Sequence, residues 1–297
     1  MKSAKNKNVL VTGGAGFLGS HVADCLSDEG YSVIIYDRIE SPYLKSDQKM
    51  IIGDLLDEKK LSKATKNCFA VYHFAGVAGI EDSNNNPLAA VKANILGTVV
   101  LLNACVQNKV SRFMFASSIY VYSDHGGIYR STKQACEMLI ENYSKMGGLD
   151  YTIMRFGSLY GKRANHFNWI YNIIHQALSE KKMERIGDGE EIREYIHVTD
   201  ASKNCVTVLD EKYKNNYVMI TGNQSMKVKD LLKMIAEMLD SKIEVLFVEG
   251  EDDGHYEITP YSFRPRTAKK IISVDQIELG QGILDTIFDV YNELKKD

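Results

Sequence analysis

A strong net charge, paired cysteines and long apolar runs are all missing from this 297-residue chain. The formal net charge is only −3 at pH 7, so no basic surface and no nucleic-acid partner are expected. The five cysteines contain no CxxC pair, which argues against a disulfide framework and a zinc or other metal site. Apolar stretches such as 71–80 are far shorter than the ~20 residues of a transmembrane helix. We therefore expect a cytoplasmic protein with no membrane partner.

Proline is also scarce, with four residues, and no serine- or glycine-rich tract suggests a flexible linker. Strand-like and helix-like segments alternate up to about residue 155. The strands are predicted at 50–52, 70–74, 112–115 and 151–154, and the helices near 57–66, 88–107 and 130–146. This alternation predicts an α/β fold with a Rossmann-type, doubly wound parallel sheet.

After residue 155 strand-like and helix-like segments no longer alternate regularly, which predicts a smaller, mixed α/β C-terminal substrate lobe. Its elements are a helix near 168–182, a strand at 191–197, helices near 199–210 and 227–238, and a terminal helix near 281–295. We predict an NAD-binding Rossmann domain over 1–155, with segments near 191–220 returning to it. Residues 156–297 then form mainly the substrate-binding lobe.

Three glycines follow the first apolar strand at three-residue spacing, as Gly13, Gly16 and Gly19. Residues without a Cβ let the backbone turn sharply and approach a pyrophosphate, just before a helix begins with its positive end at the anion. Phe17 and Leu18 open that helix and belong to the same predicted site. The pattern therefore predicts a dinucleotide phosphate cradle.

A second β-branched run, 31–36, ends in Asp37, which lies 18 positions after Gly19. An acidic residue at about this distance is placed to bind the hydroxyls of the adenosine ribose. The neighbouring Arg38 complicates the prediction, because a guanidinium could instead face a 2′-phosphate. NAD is therefore the predicted cofactor, and NADP is left open.

A candidate catalytic group follows the strand at 112–115. Ser118 comes first, Tyr129 follows 11 positions later, and Lys133 lies four positions further on one helix face. A neighbouring ammonium and an oxidised nicotinamide favour the phenolate, which brings a tyrosine into the working range of a base. Tyr291 and Lys295 have the same spacing but no strand-end serine before them, so we interpret them as a surface pair.

Further motifs extend this pattern over nearly the whole chain. They are 12–19, 53–55, 73–76, 94–98, 117–118, 129–133, 155–161 and 193–198. Together they resemble the extended short-chain dehydrogenase/reductases, and among these the NAD-dependent nucleotide-sugar epimerases and dehydratases. The resemblance implies a nucleotide-diphosphate sugar as substrate and a carbohydrate-biosynthesis role.

The resemblance also implies cofactor contacts from four more parts of the chain. They are Asp54 and Leu55 around the adenine, Phe74, Ala75 and Gly76 along the pyrophosphate and ribose, Asn94 supporting the helix beside the active site, and Phe156. It further implies a homodimer whose interface is formed by the helices near 88–107 and 130–146. Leu101, Leu102, Met138 and Leu139 fit that interface, although they fit an ordinary core equally well.

On the substrate side, the resemblance implies that Arg193 and Arg264 bind the diphosphate, a role suited to the planar guanidinium. Arg266 is the alternative to Arg264, since both stand in a loose match to the family's motif. Ser118 and Ser158 complete the predicted substrate contacts, with Ser158 at a position where the family usually has asparagine. A surface salt bridge is the ordinary alternative for either arginine.

Two departures from the family's pattern guide the prediction of the reaction. The interval between Ser118 and Tyr129 is short, which would open the sugar pocket or change its selectivity. Ile119 and Tyr120 also stand where related 4,6-dehydratases carry an Asp-Glu pair, so elimination lacks its acid and base. We therefore predict a nucleotide-sugar 4-epimerase. A 4-reductase or dehydrogenase, a 4,6-dehydratase and, more distantly, a non-catalytic NAD(P) sensor are the alternatives.

Overall fold

A computed structural model describes residues 6–239, 242–249, 269–271 and 275–296. The strands are β1 (Asn8–Thr12), β2 (Ser32–Asp37), β3 (Lys49–Ile52), β4 (Cys68–His73), β5 (Arg112–Ser118), β6 (Asp150–Phe156), β7 (Ser158–Tyr160), β8 (Lys182–Ile186), β9 (Ile192–His197), β10 (Asn216–Ile220), β11 (Ser225–Lys227), β12 (Glu244–Val248) and β13 (Lys269–Lys270). The α-helices are α1 (Phe17–Asp28), α2 (Glu58–Thr65), α3 (Ile80–Asn85), α4 (Pro87–Ala90), α5 (Gly97–Gln107), α6 (Gly127–Gly147), α7 (Trp169–Glu180), α8 (Val198–Thr207), α9 (Val228–Met238) and α10 (Leu279–Leu294). A π-helical turn, Val91–Leu96, joins α4 to α5, and 3-10 turns span Ile119–Tyr122 and Glu211–Tyr213.

Eight parallel strands form the main sheet in the order β13-β10-β6-β5-β4-β1-β2-β3. Side chains of β1 alternate between two apolar cores: Val9 and Val11 face α1 and α8, and Leu10 faces α2, α5 and α6. Burial of both faces explains why the strands read as continuous apolar runs. The predicted doubly wound α/β fold is confirmed. The strand order reverses between β1 and β4, where such sheets bind ligands.

The C-terminal part of the chain is built around a third apolar core, to which α7, α9 and α10 contribute. Two small sheets accompany it. In one, β9 lies between β7, which is parallel to it, and β11, which is antiparallel. In the other, β8 pairs in parallel with β12. The predicted strand at 191–197 is β9, and the mixed α/β character predicted for this part is confirmed.

Two later elements complete the N-terminal half. Strand β10 pairs with β6 in the main sheet, and α8 packs on α1. The division of cofactor and substrate binding at about residue 155 stays a prediction. Six strands, β7, β8 and β10 to β13, have no counterpart among the predicted strands. Three of them, β7, β11 and β13, have only two or three residues, which is too short to show a hydrophobic period.

Of the described helices, Pro87–Gln107 is the one long and apolar enough to cross a membrane by length and composition. Half of its most apolar 18-residue window is buried inside the protein. Leu101 and Leu102 lie fully in the core beneath the sheet. Length and composition are therefore a weak indication of a span, since the core helix of a globular protein passes the same test.

Of the four apolar residues that fit a dimer interface, some are buried in the structure and one is exposed. Leu101 and Leu102 are buried within the subunit, and Leu139 packs partly buried against the same core. Met138, by contrast, is 48% exposed on α6. Two of the four therefore belong to the subunit core. The homodimer stays a prediction, and light scattering of the purified protein will show whether its mass is twice that of one chain.

Candidate active site

The glycine-rich turn after β1 packs tightly against the chain after β4. Gly13 has a φ of +74°, and a Cβ there would lie only 2.5 Å from the amide nitrogen of Ala75. The amides of Phe74 and Ala75 both donate to the carbonyl of Thr12, at 3.0 and 3.1 Å. A side chain at position 13 would strain the backbone and separate the two turns, so this position requires glycine.

Helix α1 begins behind this turn with an open N-terminus. Its N-cap is Gly16, so no side chain caps the first amides, and its first turn contains no acidic residue. Phe17 and Leu18 are half-buried at the helix start, with Leu18 packed against the core. Amides without intrahelical partners and the positive end of the helix dipole fit a bound anion such as a pyrophosphate.

Asp37, at the end of β2, turns its carboxylate toward the glycine turn. Its Oδ2 accepts a hydrogen bond from the Ala15 amide at 3.0 Å, and its Oδ1 accepts one from the Arg38 amide at 2.7 Å. The Arg38 side chain is exposed. A carboxylate fixed beside the cradle accepts hydrogen bonds from ribose hydroxyls and repels a 2′-phosphate. This arrangement fits NAD.

Asp54 and Leu55 lie beyond β3 on the same side of the sheet as Asp37. The Gly53 amide donates to the Asp37 carbonyl at 2.8 Å, which joins the two segments. Asp54 is exposed, whereas Leu55 is buried against Gly97, where a Cβ would lie 3.0 Å from the leucine side chain. Leu55 therefore provides an apolar surface and Asp54 an exposed carboxylate next to the Asp37 side of the cradle.

Asn94 connects the turn after β4 to α6. Its Oδ1 accepts from the Val77 amide at 2.7 Å, while its Nδ2 donates to the Val77 carbonyl at 2.9 Å and to the Thr132 hydroxyl at 3.0 Å. Gly76 has a φ of +152°, and a Cβ there would lie 2.5 Å from the Asn94 Oδ1. Asn94 belongs to the π-helical turn 91–96, a local distortion often found at functional sites.

His73, the last residue of β4, is fully buried beneath the cradle. Its Nδ1 lies 2.7 Å from the Thr12 hydroxyl and its Nε2 lies 2.9 Å from the Thr98 hydroxyl. Burial, together with the nearby Lys133 charge, lowers the pKa of His73 to about 3. The imidazole is therefore neutral and joins β1, β4 and α5 through hydrogen bonds.

Ser118, Tyr129 and Lys133 come together at the carboxyl end of β5. Ser118 ends β5, and the other two residues lie one turn apart on α6. The Ser118 hydroxyl lies close enough to the Tyr129 phenol to lower its pKa. The Lys133 Nζ lies 5.7 Å from the centroid of the Tyr129 ring and donates to the Ala116 carbonyl at 2.8 Å. The structure thus brings the predicted catalytic residues into one group.

Burial raises the pKa of Tyr129 to about 12, and the Ser118 hydroxyl offsets only part of this rise. Burial also lowers the pKa of Lys133, against the opposing effects of Cys136 and Glu137. The lysine ammonium is directed at a backbone carbonyl rather than at the phenol. The cation alone therefore does not bring the phenol into working range, and Tyr129 is protonated at neutral pH.

The short segment between Ser118 and Tyr129 begins with the 3-10 turn Ile119–Tyr122. The ring of Tyr120 lies edge-on to that of Tyr129, with centroids 6.4 Å apart. Gly126 has a φ of +94°, and a Cβ there would lie 2.8 Å from the Tyr120 ring. The short segment therefore places an aromatic wall beside Tyr129, where the resembling dehydratases carry carboxylates.

Phe156 and Ser158 lie where β6 continues into β7. Phe156 is buried and is the register partner of Ser118 across β5 and β6. Ser158 is half-buried at the start of β7. Arg264 and its alternative Arg266 lie outside the residues that the structure describes.

Arg193 is buried on β9 within a charged cluster that sequence reasoning missed. Its Nη2 lies 3.9 Å from Oε1 of Glu191, which also accepts from Arg185 through Nε at 3.0 Å and through Nη2. The Arg185 guanidinium lies 5.7 Å from the ring centroid of Trp169. Guanidinium groups beside an indole suit a diphosphate and a planar base. In the sequence, the single tryptophan of the chain and the alternating acidic and basic residues at 184–194 were the features that could have indicated this cluster.

Tyr291 and Lys295, the second pair with the same spacing, lie at the end of α10. The Lys295 Nζ is 4.3 Å from the Tyr291 ring centroid, and Tyr291 is 43% exposed. The interpretation of a surface pair is confirmed. In the described part of the chain, no group of three His, Cys, Asp or Glu residues is placed to hold a metal ion.

A family model described as the NAD dependent epimerase/dehydratase family matches residues 9–220. The chain belongs to this family. The match includes the glycine turn, Asp37, the Ser118 group and Arg193. An epimerase/dehydratase of this family uses NAD, and the open α1 terminus with the fixed Asp37 carboxylate fits that cofactor.

Two curated relatives illustrate the range of reactions in the epimerase/dehydratase family. The chain is 32% identical over 257 residues to a UDP-glucose 4-epimerase of Schizosaccharomyces pombe, covering 71% of this chain and 72% of the relative. It is 26% identical over 283 residues to a UDP-N-acetyl-alpha-D-glucosaminuronate decarboxylase of Bacillus cytotoxicus, covering 86% of each. UDP-sugars are the common substrate class in these names.

Solved structures of this family superpose over almost the whole chain. A UDP-N-acetylglucosamine 4-epimerase of Methanobrevibacter ruminantium, in complex with UDP-N-acetylmuramic acid, gives a TM-score of 0.85 at 25% identity, covering 97% of this chain and 99% of that one. MoeE5, in complex with UDP-glucose and NAD, gives 0.81 at 26% identity with the same coverage. The fold around the candidate site is thus shared with nucleotide-sugar enzymes.

We expect that the free energy of unfolding falls less between pH 7.5 and pH 4.5 in His73→Gln than in the wild-type protein. The folded protein holds the pKa of His73 at about 3, against 6.5 for an ordinary histidine, so the unfolded chain binds the proton first. The resulting stabilisation is complete above about pH 6.5 and is lost as the pH falls toward about 3. Urea unfolding at about pH 4.5 and pH 7.5 measures this loss, with His175→Gln on α7 as control. An equal loss in wild type and His73→Gln would contradict the prediction.

Proposed function

We propose that this chain is an NAD-dependent UDP-sugar 4-epimerase. The observation that carries the proposal is the convergence of Ser118, Tyr129 and Lys133 beside the dinucleotide cradle. Ile119 and Tyr120 follow Ser118 where a dehydratase would need an acid and a base. The names of the relatives support UDP as the nucleotide.

In this proposal Tyr129 takes the proton of the sugar C4 hydroxyl, and Ser118 holds the same oxygen by a hydrogen bond. Lys133 binds the nicotinamide ribose. Bound NAD supplies the hydride acceptor for C4 and a positive charge that favours the phenolate. Inversion at C4 would then require no net redox change and no added cofactor. Because the pKa of Tyr129 is about 12 in the protein itself, the phenol becomes a base only in the loaded site.

The remaining predicted contacts follow the geometry of the cradle. The turn at Gly13 and Gly16 binds the pyrophosphate, and the Asp37 carboxylate binds the adenosine ribose. Around them lie Arg38, Phe17 and Leu18 at the ribose side and helix start, Asp54 and Leu55 at the adenine, Phe74, Ala75 and Gly76 along the opposite wall, and Phe156 near the nicotinamide. Asn94 fixes that wall to the catalytic helix.

Substrate binding is assigned to the C-terminal part of the chain. Arg193 binds the diphosphate, since its guanidinium is buried on β9 and its planar shape suits two phosphate oxygens at once. Ser158 contributes a hydroxyl at the start of β7. Arg264 retains the second diphosphate role as a prediction from the sequence.

A screen of UDP-, GDP-, CDP- and dTDP-hexoses with the purified protein tests the proposal. Product stereochemistry is followed by NMR, and reduced nicotinamide by absorbance. A C4 epimer of a UDP-hexose, formed without added cofactor, is the expected result. Stoichiometric change of the cofactor would instead show a reductase or dehydrogenase, a 4-keto-6-deoxy product a dehydratase, and binding without chemistry a sensor.

We expect Tyr129→Phe to lower turnover by at least ~100-fold, because it removes the proton acceptor for the C4 hydroxyl. The cofactor stays bound, since the cradle is unchanged. Turnover and bound NAD are measured on the same preparation. Tyr143→Phe on the same helix, whose hydroxyl donates only to Asn103 at 2.7 Å, serves as the control and keeps wild-type turnover. Near-normal turnover of Tyr129→Phe would remove the base from the mechanism.

We expect Arg193→Gln to raise KM for the UDP-sugar by roughly 10-fold or more, with a smaller effect on kcat. The reason is the loss of a charged donor to the diphosphate at a distance from the reacting C4 atom. Arg163→Gln is the control, because Arg163 pairs with Asp24 of α1 at 2.7 Å. Equal KM values for both variants would show that Arg193 has only a packing role.

A further inference from the structure

We propose that Glu137 and Arg155 are positioning residues for this site, whose buried ion pair holds the turn that follows Ser118 against the helix that carries Tyr129 and Lys133. The proposal rests on the proposed epimerase function for its kinetic consequences. Its geometric basis lies in the contacts of the pair, which no step of the mechanism uses.

The ion pair is bidentate and almost completely buried. The Arg155 Nη2 lies 2.7 Å from Glu137 Oε2, the Nε lies 3.0 Å from Oε1, and the two side chains are 2% and 3% exposed. Arg155 belongs to β6, and Glu137 lies on α6 one turn after Lys133 and two turns after Tyr129. Two parallel hydrogen bonds fix both distance and orientation, so the pair sets how α6 sits on the sheet.

The same pair holds both ends of the segment around Ser118. The Ser117 hydroxyl donates to Glu137 Oε1 at 2.6 Å, directly before Ser118. At the other end, Arg155 Nη1 donates to the hydroxyl of Tyr122, and the guanidinium lies 4.5 Å from that ring centroid. The Glu137–Arg155 pair thus positions both Ser118 and the helix that carries Tyr129.

A purely stabilising role would not need these charges. Replacing a buried ion pair by apolar residues of similar size is often neutral for stability, whereas an error of about 1 Å in catalytic geometry costs on the order of 100-fold in rate. The pair therefore matters more for alignment than for the free energy of folding. This difference separates the two roles in an experiment.

Glu137 also faces the catalytic lysine. Tyr129, Cys136 and Glu137 face Lys133 from its own helix, and His73 faces it from β4. The Ala116 carbonyl of β5 accepts from its Nζ. Burial lowers the pKa of Lys133, and Cys136 and then Glu137, the carboxylate among these groups, raise it.

The first test compares Glu137→Gln with Glu141→Gln, one turn further along α6, where the carboxylate accepts from the Tyr217 hydroxyl. We expect Glu137→Gln to lower kcat by about 10- to 100-fold while KM stays within about two-fold. Removal of the carboxylate lets Lys133 lose its proton at lower pH, so the alkaline limb of the kcat profile moves to lower pH. Identical kinetics and pH profiles of the two variants would overturn the proposal.

The second test uses the double variant Glu137→Met/Arg155→Met and needs no substrate. We expect an unfolding midpoint within a few degrees of wild type, because the volumes are similar and no lone charge remains buried. Amide hydrogen exchange of the segment 117–126 should nevertheless accelerate at least about 10-fold, while exchange in β1 is unchanged. Unchanged exchange in 117–126 would overturn the positioning role. If the wild-type protein shows no epimerisation, the proposed function fails by itself and the exchange data still decide this proposal.

Discussion

The common direction of the eight strands in the main sheet is the constraint on which the rest of the structure depends. Because all strands run the same way, each one delivers the residue that follows it to the same edge. The glycine turn follows β1 in this manner, and Asp37, His73 and Ser118 are the last residues of β2, β4 and β5. The parallel sheet alone thus brings together site residues that lie more than 100 positions apart in the sequence.

That edge concentrates polar groups in a protein interior, and the structure satisfies them in pairs. A buried polar group without a partner is costly, whereas a partnered one also restricts geometry. His73 lies between two threonine hydroxyls, Asn94 bridges two chain segments, and Glu137 holds Arg155. Each of these contacts joins a different pair of elements. Order at this edge of the sheet therefore comes from hydrogen bonds, and the apolar cores on either side supply most of the burial.

The sequence was sufficient to predict whatever depends on local periodicity or short spacing. Strands β1 to β6 of the main sheet, the helices after residue 168 and the grouping of Ser118 with Tyr129 and Lys133 all follow from such patterns. Contacts that depend on how side chains turn in space were not accessible. Lys133 has the predicted position, but its ammonium is directed at a backbone carbonyl. The ion pair between Arg185 and Glu191 likewise depends on the path of the chain between β8 and β9, which residue spacing does not predict.

The π-helical turn 91–96 sets a limit on how this chain can change in length. A residue adds about 100° of rotation to an α-helix, so one insertion or deletion near the turn would swing the Asn94 amide away from Val77. Substitutions on the exposed side, where Leu88 and Val91 lie, leave that register unchanged. Gaps in an alignment of homologous sequences should therefore fall outside this helix.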